Sequence, residues 1–224
     1  MFGWFRRTPA VPTEDQLRVS QALASYPPYA PLEWKADSTS DSRRAASAQY
    51  RDFFIGGIPD RIEALRAFLA NFDVALSLDD IGLMAVSAWL PRYGDLLVND
   101  FDDEAVRDAY RDCAVPWAGR LIGLNVVFDL AIYNAECLWA RRTRLKWQVS
   151  RGVDANGNLM ANHFIIGLPG GKAFDPFHYT YLHCRNIRTA KTYSDDCWSL
   201  KSDSFSRHVL ADAPPGRRRR KIAL

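Results

Sequence analysis

The sequence predicts an α+β fold that is mostly helical over its N-terminal two-thirds and carries a small antiparallel sheet in its C-terminal third. Up to about residue 142, apolar residues recur at the three- and four-residue spacing of amphipathic helices. Beyond that point, short apolar runs are separated by turn signals, of which Asn156-Gly157 is a strong hairpin signal. Helices first and strands last indicate antiparallel pairing, because parallel strands need crossover helices between them.

The composition is that of a folded domain, since 48% of the 224 residues are hydrophobic and 25% are charged. A chain of this length can bury a core without disulfides. We expect a single domain over 13–213, helical in 13–142 and β-rich in 145–184. A flexible arm is expected at 1–12 and a basic disordered tail at 214–224.

Three helices are predicted in the first 70 residues. Thr13 and Gln16 form a capping box, which opens the first helix. A second helix is predicted over 43–55 and is expected to end at Gly56-Gly57. Pro59 suits a first helical turn, so we expect it to begin the third helix.

A fourth helix is predicted to follow a second capping box, formed by Ser77 and Asp80. Pro91 is expected to limit its length, because proline cannot donate to the helical ladder. The apolar residues that this helix carries include Ile81, Met84, Ala85, Ala88 and Trp89.

Two more helices are predicted before the strands begin. Asp102 or Asp103 is expected to cap a short helix that runs to Arg111. Pro116 is well placed in the first turn of a long helix over 117–142, where its missing N–H leaves no hydrogen bond unmade.

Three strands are predicted after the long helix, over 146–150, 159–168 and 174–183. A turn at 154–158 joins the first two strands as a hairpin. Residues 185–213 carry only a weak pattern.

Polar side chains interrupt the apolar pattern of the long helix. Asn125, Asp129 and Glu136 fall within about 40° of one line at about 100° per residue, although an isoleucine interrupts that line. Three interpretations are open. The line is the solvent-facing edge of the helix, or Glu136 is buried and neutralised by Arg141 or Arg144, or the acids form a functional carboxylate pair.

The same helix opens a longer pattern, which runs from Asp129 through Tyr133 to Glu136, then to Lys146-Trp147, a hairpin and Asp175-Pro176-Phe177. This order resembles that of small bacterial proteins of unknown function, some of which are grouped with immunity-type proteins of toxin systems. An alanine stands here where their Tyr-x-Gly-Glu motif has glycine, and the resemblance covers about a quarter of the chain. It implies a stand-alone α+β protein in which Glu136 and Trp147 are structural anchors.

No motif predicts a cofactor or a metal ion. The glycine-rich 167–172 lacks P-loop spacing, and 100–111 lacks the glycine and glutamate of a calcium loop. On the predicted strand His178 and His183 would face opposite sides, so we expect no shared metal ion. The cluster that most resembles a ligand set comprises His163, His178, His183 and Cys184.

The cysteines and the absence of long apolar runs predict a cytoplasmic protein without a membrane segment. Without any C-x-x-C spacing, free thiols are expected at Cys113, Cys137, Cys184 and Cys197. The N-terminus shows no apolar core after its charges, so we do not expect a secretory signal.

The positive net charge of +3 has a local origin. The run at 217–221 supplies five positive charges, without which the formal charge is −2. Nucleic acid is therefore not expected as a partner except through this run, whose charges can replace the counterions of a phosphate backbone. The run comprises Arg217, Arg218, Arg219, Arg220 and Lys221.

Together, these patterns favour a non-enzymatic binding or interaction protein with a protein partner, immunity-like by its resemblance; no motif defines its oligomeric state. Two alternatives stay open. One is a hydrolase or transferase that uses Glu136 or Asp129 with His163 or His178, and the other is nucleic-acid contact through the basic run. The candidate binding face comprises Asn125, Asp129, Tyr133, Glu136 and Trp147.

Overall fold

The computed structural model of the chain describes residues 11–30, 40–141, 144–153, 159–168 and 173–187. These residues form six α-helices and one two-stranded antiparallel sheet, which confirms the predicted α+β class. The helices are α1 (Glu14–Ala24), α2 (Ser40–Ala70), α3 (Asp80–Tyr93), α4 (Glu104–Arg111), α5 (Gly123–Arg141) and α6 (Pro176–Ile187). The strands are β1 (Lys146–Val153) and β2 (Leu159–Ile166), and 3₁₀ turns lie at Gly94–Leu96 and Gly119–Leu121.

Helix α5 is the centre of the core, because every residue from 123 to 135 is buried. Helices α2 and α6 pack on it, and α2 also packs on β1. The hairpin turns one face inward, with Val149 and Arg151 of β1 beside His163 and Ile165 of β2. This period of two is what an antiparallel strand pair with one buried face requires.

Helix α2 corrects the prediction of two helices separated at Gly56-Gly57, since it runs unbroken for 31 residues with Pro59 inside it. Its buried stripe continues across these residues, with Phe54 before them and Ile58 and Ile62 after them. Packing on α5 and β1 therefore overrides the local stop signals. Pro59 lies on the exposed side of the helix, where water can satisfy the carbonyl that proline leaves without a donor.

Helix α5 begins at Gly123, later than the predicted start at residue 117. The Val115-Pro116 peptide bond is cis, and the Gly119–Leu121 turn comes between it and the helix. Trp117 lies in this segment and is fully buried, and its indole N–H donates to the carbonyl of Ala109 at 3.2 Å.

The predicted third strand over 174–183 is wrong, because this segment is largely helix α6. Asp175 caps the helix, since its Oδ1 accepts hydrogen bonds from the backbone N–H groups of Phe177 and His178 at 3.0 and 2.9 Å. Phe174 pairs with β2 through a single isolated bridge. The buried side chains of α6 follow a helical period and include Phe177, Thr180, Tyr181 and Cys184.

Several local predictions are confirmed and two at α3 are corrected. The Thr13–Gln16 capping box opens α1, and Asp103 caps α4. The cap of α3 is Asp79 instead of Ser77, and the helix continues through Pro91 to Tyr93. Cys113, Cys137 and Cys184 are buried free thiols, whereas Cys197 lies outside the described residues.

Some predictions concern residues that the structure does not describe. They are most of the arm at 1–12, the hairpin turn at 154–158 and the tail at 214–224 with its basic run. Among the described residues, Gly119–Ala140 is long and apolar enough to cross a membrane by length and composition. Of its most apolar window, 83% is buried within the fold, which is also the pattern of a core helix.

Two glycines in helices should respond in opposite directions to the same substitution. A Cβ at Gly123 would overlap the backbone carbonyl of Leu97, so we expect Gly123→Ala to lower the free energy of unfolding by about 1–3 kcal/mol. Gly56 lies in the interior of α2 with open space around it, so Gly56→Ala should raise this free energy by about 0.5–1 kcal/mol. Urea unfolding measures both, and a loss of stability in Gly56→Ala would show that α2 breaks there.

Candidate functional site

Asp129 is the most heavily bonded side chain of the predicted binding face, and its carboxylate is completely buried. Tyr26 donates its hydroxyl to Oδ2 and Tyr29 donates its hydroxyl to Oδ1, each at 2.5 Å. Arg61 donates from Nε to both carboxylate oxygens at 2.9 and 3.0 Å, and from Nη2 to Oδ2 at 2.5 Å. The carboxylate thus has three partner side chains, two from the segment after α1 and one from α2.

Arg61, which neutralises Asp129, is also largely buried, since its side chain is only 11% exposed. Its guanidinium lies over the ring of Tyr29 at 4.0 Å from the centroid and over that of Tyr26 at 5.4 Å. Its Nη1 donates to the carbonyl of Pro27 at 2.8 Å. Arg61 therefore joins α2, α5 and the residues that follow α1.

The electrostatics of this cluster favour a structural role. Burial raises the pKa of Asp129, and the Arg61 guanidinium and the two phenol hydroxyls oppose that rise by stabilising the carboxylate. Burial, followed by the nearby Asp129 charge, raises the pKa of Tyr26 and of Tyr29 well above 10, so both phenols stay protonated donors. A buried carboxylate with its lone pairs occupied cannot accept a proton from a substrate, so general-base chemistry at Asp129 is not supported.

Asn125 lies one turn before Asp129 and is also completely buried. Its Oδ1 accepts from the backbone N–H of Tyr29 at 3.0 Å, and its Nδ2 donates to the carbonyls of Trp117 and Ile122 at 2.9 and 2.7 Å. The interpretation of this polar line as a solvent-facing edge is therefore wrong for Asn125 and Asp129. The line faces inward because it binds the segments that follow α1 and α4.

Tyr133 and Glu136 continue along α5 with partners of their own. Tyr133 is buried and donates its hydroxyl to the carbonyl of Ser77 at 2.7 Å. Glu136 is half-buried and accepts a hydrogen bond from the indole N–H of Trp147 at 2.8 Å. Burial raises the pKa of Glu136, and this hydrogen bond opposes the rise. Neutralisation by arginine thus occurs at Asp129 with Arg61, and the bond found at Glu136 is with Trp147.

His163 lies in a second buried cluster. Its Nε2 is 2.6 Å from the hydroxyl of Tyr50, which is also 3.5 Å from the sulfur of Cys113. Aromatic rings surround the imidazole, with that of Phe177 at 4.8 Å and that of Phe54 at 4.9 Å between ring centroids. Burial lowers the pKa of His163 to about 3, so the ring is neutral near pH 7.

The enzyme alternative needs a carboxylate beside a histidine, and the hydrogen bonds of Asp129, Glu136 and His163 are with other partners. His163 bonds to Tyr50, Asp129 to Arg61 and its two tyrosines, and Glu136 to Trp147. His178 and His183 lie on α6, so the expectation that they face opposite sides of a strand is wrong. Within the part of the chain that the structure describes, no group of three or more His, Cys, Asp or Glu side chains could hold a metal ion.

Helix α3 carries an exposed apolar surface. We name it the α3 stripe and define it as Leu78, Ile81, Met84, Ala85 and Ala88. Leu78, Ile81 and Met84 are 42%, 76% and 60% exposed. Helix α3 thus has two apolar faces, and the face that packs inward is the one with Leu83, Val86, Trp89 and Leu90.

A groove of about 830 Å³ lies between α1 and the segments at 95–99 and 119–122. Its walls mix apolar side chains such as Leu17 and Leu97 with polar ones such as Gln16 and Asn99. The groove is large enough for a small molecule, and its lining includes one acid and one base, Asp95 and Arg120, of which Arg120 is paired with Asp103 at 3.1 Å.

The sequence did not identify the partners of the two buried clusters. Arg61, Tyr26 and Tyr29 lie about 70 to 100 residues before Asp129, and Tyr50 lies more than 100 residues before His163. A proline-tyrosine-rich segment after α1 was visible, but nothing in its spacing points to a carboxylate on a distant helix.

No protein-family model, curated protein or solved structure matches this chain. The resemblance to immunity-type proteins is therefore neither confirmed nor refuted, and it remains an expectation.

Removing the charge of Asp129 should destabilise the fold strongly. In Asp129→Asn, Arg61 keeps its burial but loses its counterion, and we expect the free energy of unfolding to fall by about 3–5 kcal/mol. The matched control is Asp73→Asn, which removes the same charge from an ion pair with Arg18 whose acid is 92% exposed. Exposed pairs contribute at most about 1 kcal/mol. Equal losses in urea unfolding of the two variants would contradict the structural role of Asp129.

Substitutions at Glu136 should separate the contribution of its hydrogen bond to the free energy of unfolding from the contribution of its charge. Glu136→Ala leaves the Trp147 indole without its acceptor and should lower the free energy of unfolding by about 1 kcal/mol, whereas Glu14→Ala on the exposed side of α1 should change it little. Glu136→Gln keeps an acceptor and has no charge to bury.

The pH dependence of Glu136→Gln follows from the raised pKa of the wild-type side chain. The folded protein holds this proton more tightly than the unfolded chain, so wild type loses stability as pH rises from the ordinary value of 4.5 through the raised pKa. We expect Glu136→Gln to be at least as stable as wild type at about pH 7, with the difference vanishing below 4.5. A thermal-unfolding series that shows the opposite trend would mean that the carboxylate is stabilised by a charge partner.

Proposed function

We propose that this chain is a non-enzymatic binding protein that docks a protein partner on the α3 stripe. The observation that carries the proposal is the exposure of Leu78, Ile81 and Met84, three large apolar side chains. Ile81 and Met84 are three residues apart on α3 and are therefore neighbours on its outer face. Contiguous exposed apolar surface of this kind marks interaction sites, because leaving it in water is unfavourable.

The stripe differs from the outer faces of neighbouring helices. On α4 the exposed positions include Glu104, Arg107 and Arg111, which is the ordinary pattern of a solvated face. On α3 the outer positions at 81, 84, 85 and 88 follow the i, i+3, i+4, i+7 spacing and are all apolar. Helix-in-groove and helix–helix recognition use this arrangement of anchors.

The buried clusters support binding over catalysis. Asp129 and Asn125 use their polar atoms to join segments of the chain, and His163 lies among aromatic rings with a tyrosine as its hydrogen-bond partner. A hydrolase or transferase built on Glu136 or Asp129 with a histidine would need an accessible pair of these groups.

An immunity-like role is the finer form of this proposal, with a toxin component as the docked protein. It is motivated by the sequence order of Glu136, Trp147 and Asp175-Pro176-Phe177, and the Glu136–Trp147 hydrogen bond agrees with the anchor roles that the resemblance implies. A neighbouring gene that encodes a toxin, whose product the chain neutralises in co-expression, would support this form. Neutralisation that persists in Ile81→Asp would exclude the stripe as its basis.

The docking surface can be tested by photo-cross-linking in the source organism. We replace Met84 with p-benzoylphenylalanine and, as the matched control, replace the exposed Arg107 of α4. We expect a defined adduct at position 84, identified by mass spectrometry, that disappears when Ile81→Asp is added because the charge opposes burial of the stripe. No adduct at position 84, or the same adducts at both positions, would contradict the proposal.

A further inference from the structure

We infer that the partner on the α3 stripe is a second copy of this chain, with the two α3 helices antiparallel about a two-fold axis between Met84 and Ala85. The inference rests on the proposed function, since it names the occupant of the same surface. Three properties of the stripe lead to it: the order of its side-chain sizes, the order of the charges along α3, and the absence of lysine and arginine from residues 77–91.

Side-chain size along the stripe is self-complementary in the antiparallel direction. The large residues Leu78, Ile81 and Met84 form its first half, and the small residues Ala85 and Ala88 form its second half. Rotation about the proposed axis places Ile81 against Ala88 of the second copy and Met84 against its Ala85, so that each of these two large side chains meets a small one. Parallel pairing would oppose large side chains and leave a gap beside the alanines, which close packing disfavours.

The charges of α3 have the same directional order. Asp80 lies in its first turn and Arg92 in its last turn. At about 100° per residue, Arg92 falls within about 20° of Ile81 and therefore ends the line of the stripe. Antiparallel pairing brings the acidic end of each helix near the basic end of the other and opposes the two helix dipoles favourably. Arg92 binds Asp15 within its own chain, yet its side chain remains 63% exposed.

A membrane surface fits the stripe less well than a second copy does. Helices that lie on membranes carry lysine or arginine beside their apolar face, which attracts anionic lipid. Residues 77–91 contain neither, and the stripe begins beside Asp79 and Asp80. Anionic headgroups would therefore be repelled where the apolar surface starts.

The length of the stripe sets the expected strength of the dimer. From Ile81 to Ala88 it spans about 10 Å at about 1.5 Å per residue, which is less than a stable interface of about 800 Å² per partner requires. We therefore expect a reversible dimer whose population rises with protein concentration.

The first experiment measures the mass of the purified full chain by sedimentation over a range of concentrations. We expect a monomer–dimer equilibrium in wild type and in the control Arg107→Glu, and only monomer in Met84→Glu, because the glutamate would be buried without a partner. Met84 is largely exposed, so Met84→Glu should fold normally, which circular dichroism and thermal unfolding check. Monomer at every concentration in wild type, or a dimer that survives Met84→Glu, would overturn the inference.

The second experiment tests the direction of pairing. In a Cys197→Ser background, chains with Ile81→Cys are mixed in equal amounts with chains that carry Ala88→Cys and are then oxidised with diamide. We expect the mixed 81–88 disulfide to exceed the 81–81 and 88–88 products, because the remaining described thiols are buried and the two-fold axis brings positions 81 and 88 together. A preference for the 81–81 and 88–88 products would overturn the antiparallel arrangement.

The outcomes separate this inference from the proposed function. A photo-adduct at position 84 with a different protein, together with a wild-type chain that stays monomeric, would overturn the second copy and leave the docking role standing. No adduct of any kind at position 84 would contradict both. Flotation with phosphatidylglycerol vesicles that depends on Met84 would overturn both in favour of a lipid surface.

Discussion

The buried ion pair of Asp129 with Arg61 is the interaction on which the rest of the fold depends. It joins α5 to α2, and through Tyr26, Tyr29 and the Pro27 carbonyl it holds the segment after α1. A charge removed from water costs several kcal/mol unless its partner and its remaining hydrogen bonds are all in place. Here the carboxylate has donors on both oxygens and the guanidinium has two acceptors and two ring faces. The pair therefore specifies one arrangement of three segments.

The unbroken course of α2 follows from the same constraint. Arg61 must reach Asp129 while Tyr50 and Phe54, earlier on α2, reach His163 and Trp147 of the hairpin. A break at Gly56-Gly57 would uncouple these two sets of contacts. The free energy of packing along the whole stripe exceeds the cost of the glycines and of Pro59, which is about 1 kcal/mol for each glycine and about 3 kcal/mol for proline. Tertiary contacts thus decide a helix boundary that local signals place elsewhere.

The polar side chains that suggested a catalytic or binding site from the sequence are buried and hold the fold together. A functional site is therefore sought on the outer surface. Asn125, Asp129 and Tyr133 connect segments inside the protein, and His163 is neutral among aromatic rings. The outer surface carries the unusual feature instead, since α3 presents apolar side chains where α4 presents charged ones. A helix with two apolar faces has one face for its own core and one that a partner can cover, which links the fold to the proposed docking role.

The sequence by itself determined what depends on neighbours a few residues apart. It predicted the α+β class, the cap at Thr13, a cap of α4 at Asp102 or Asp103, the first hairpin strand and a long apolar helix that carries acids, because capping and periodicity act within one or two turns. The tertiary structure decided the rest: which face of α3 is buried, whether 174–183 is strand or helix, and which residue neutralises Asp129. These outcomes depend on contacts between residues far apart in the chain, such as those of Asp129 with Arg61 and of Glu136 with Trp147. Local spacing shows only that a stripe is apolar or that an acid is present. Which stripe is buried, and which cation pairs with the acid, depends on how surfaces that are distant in the sequence pack against one another.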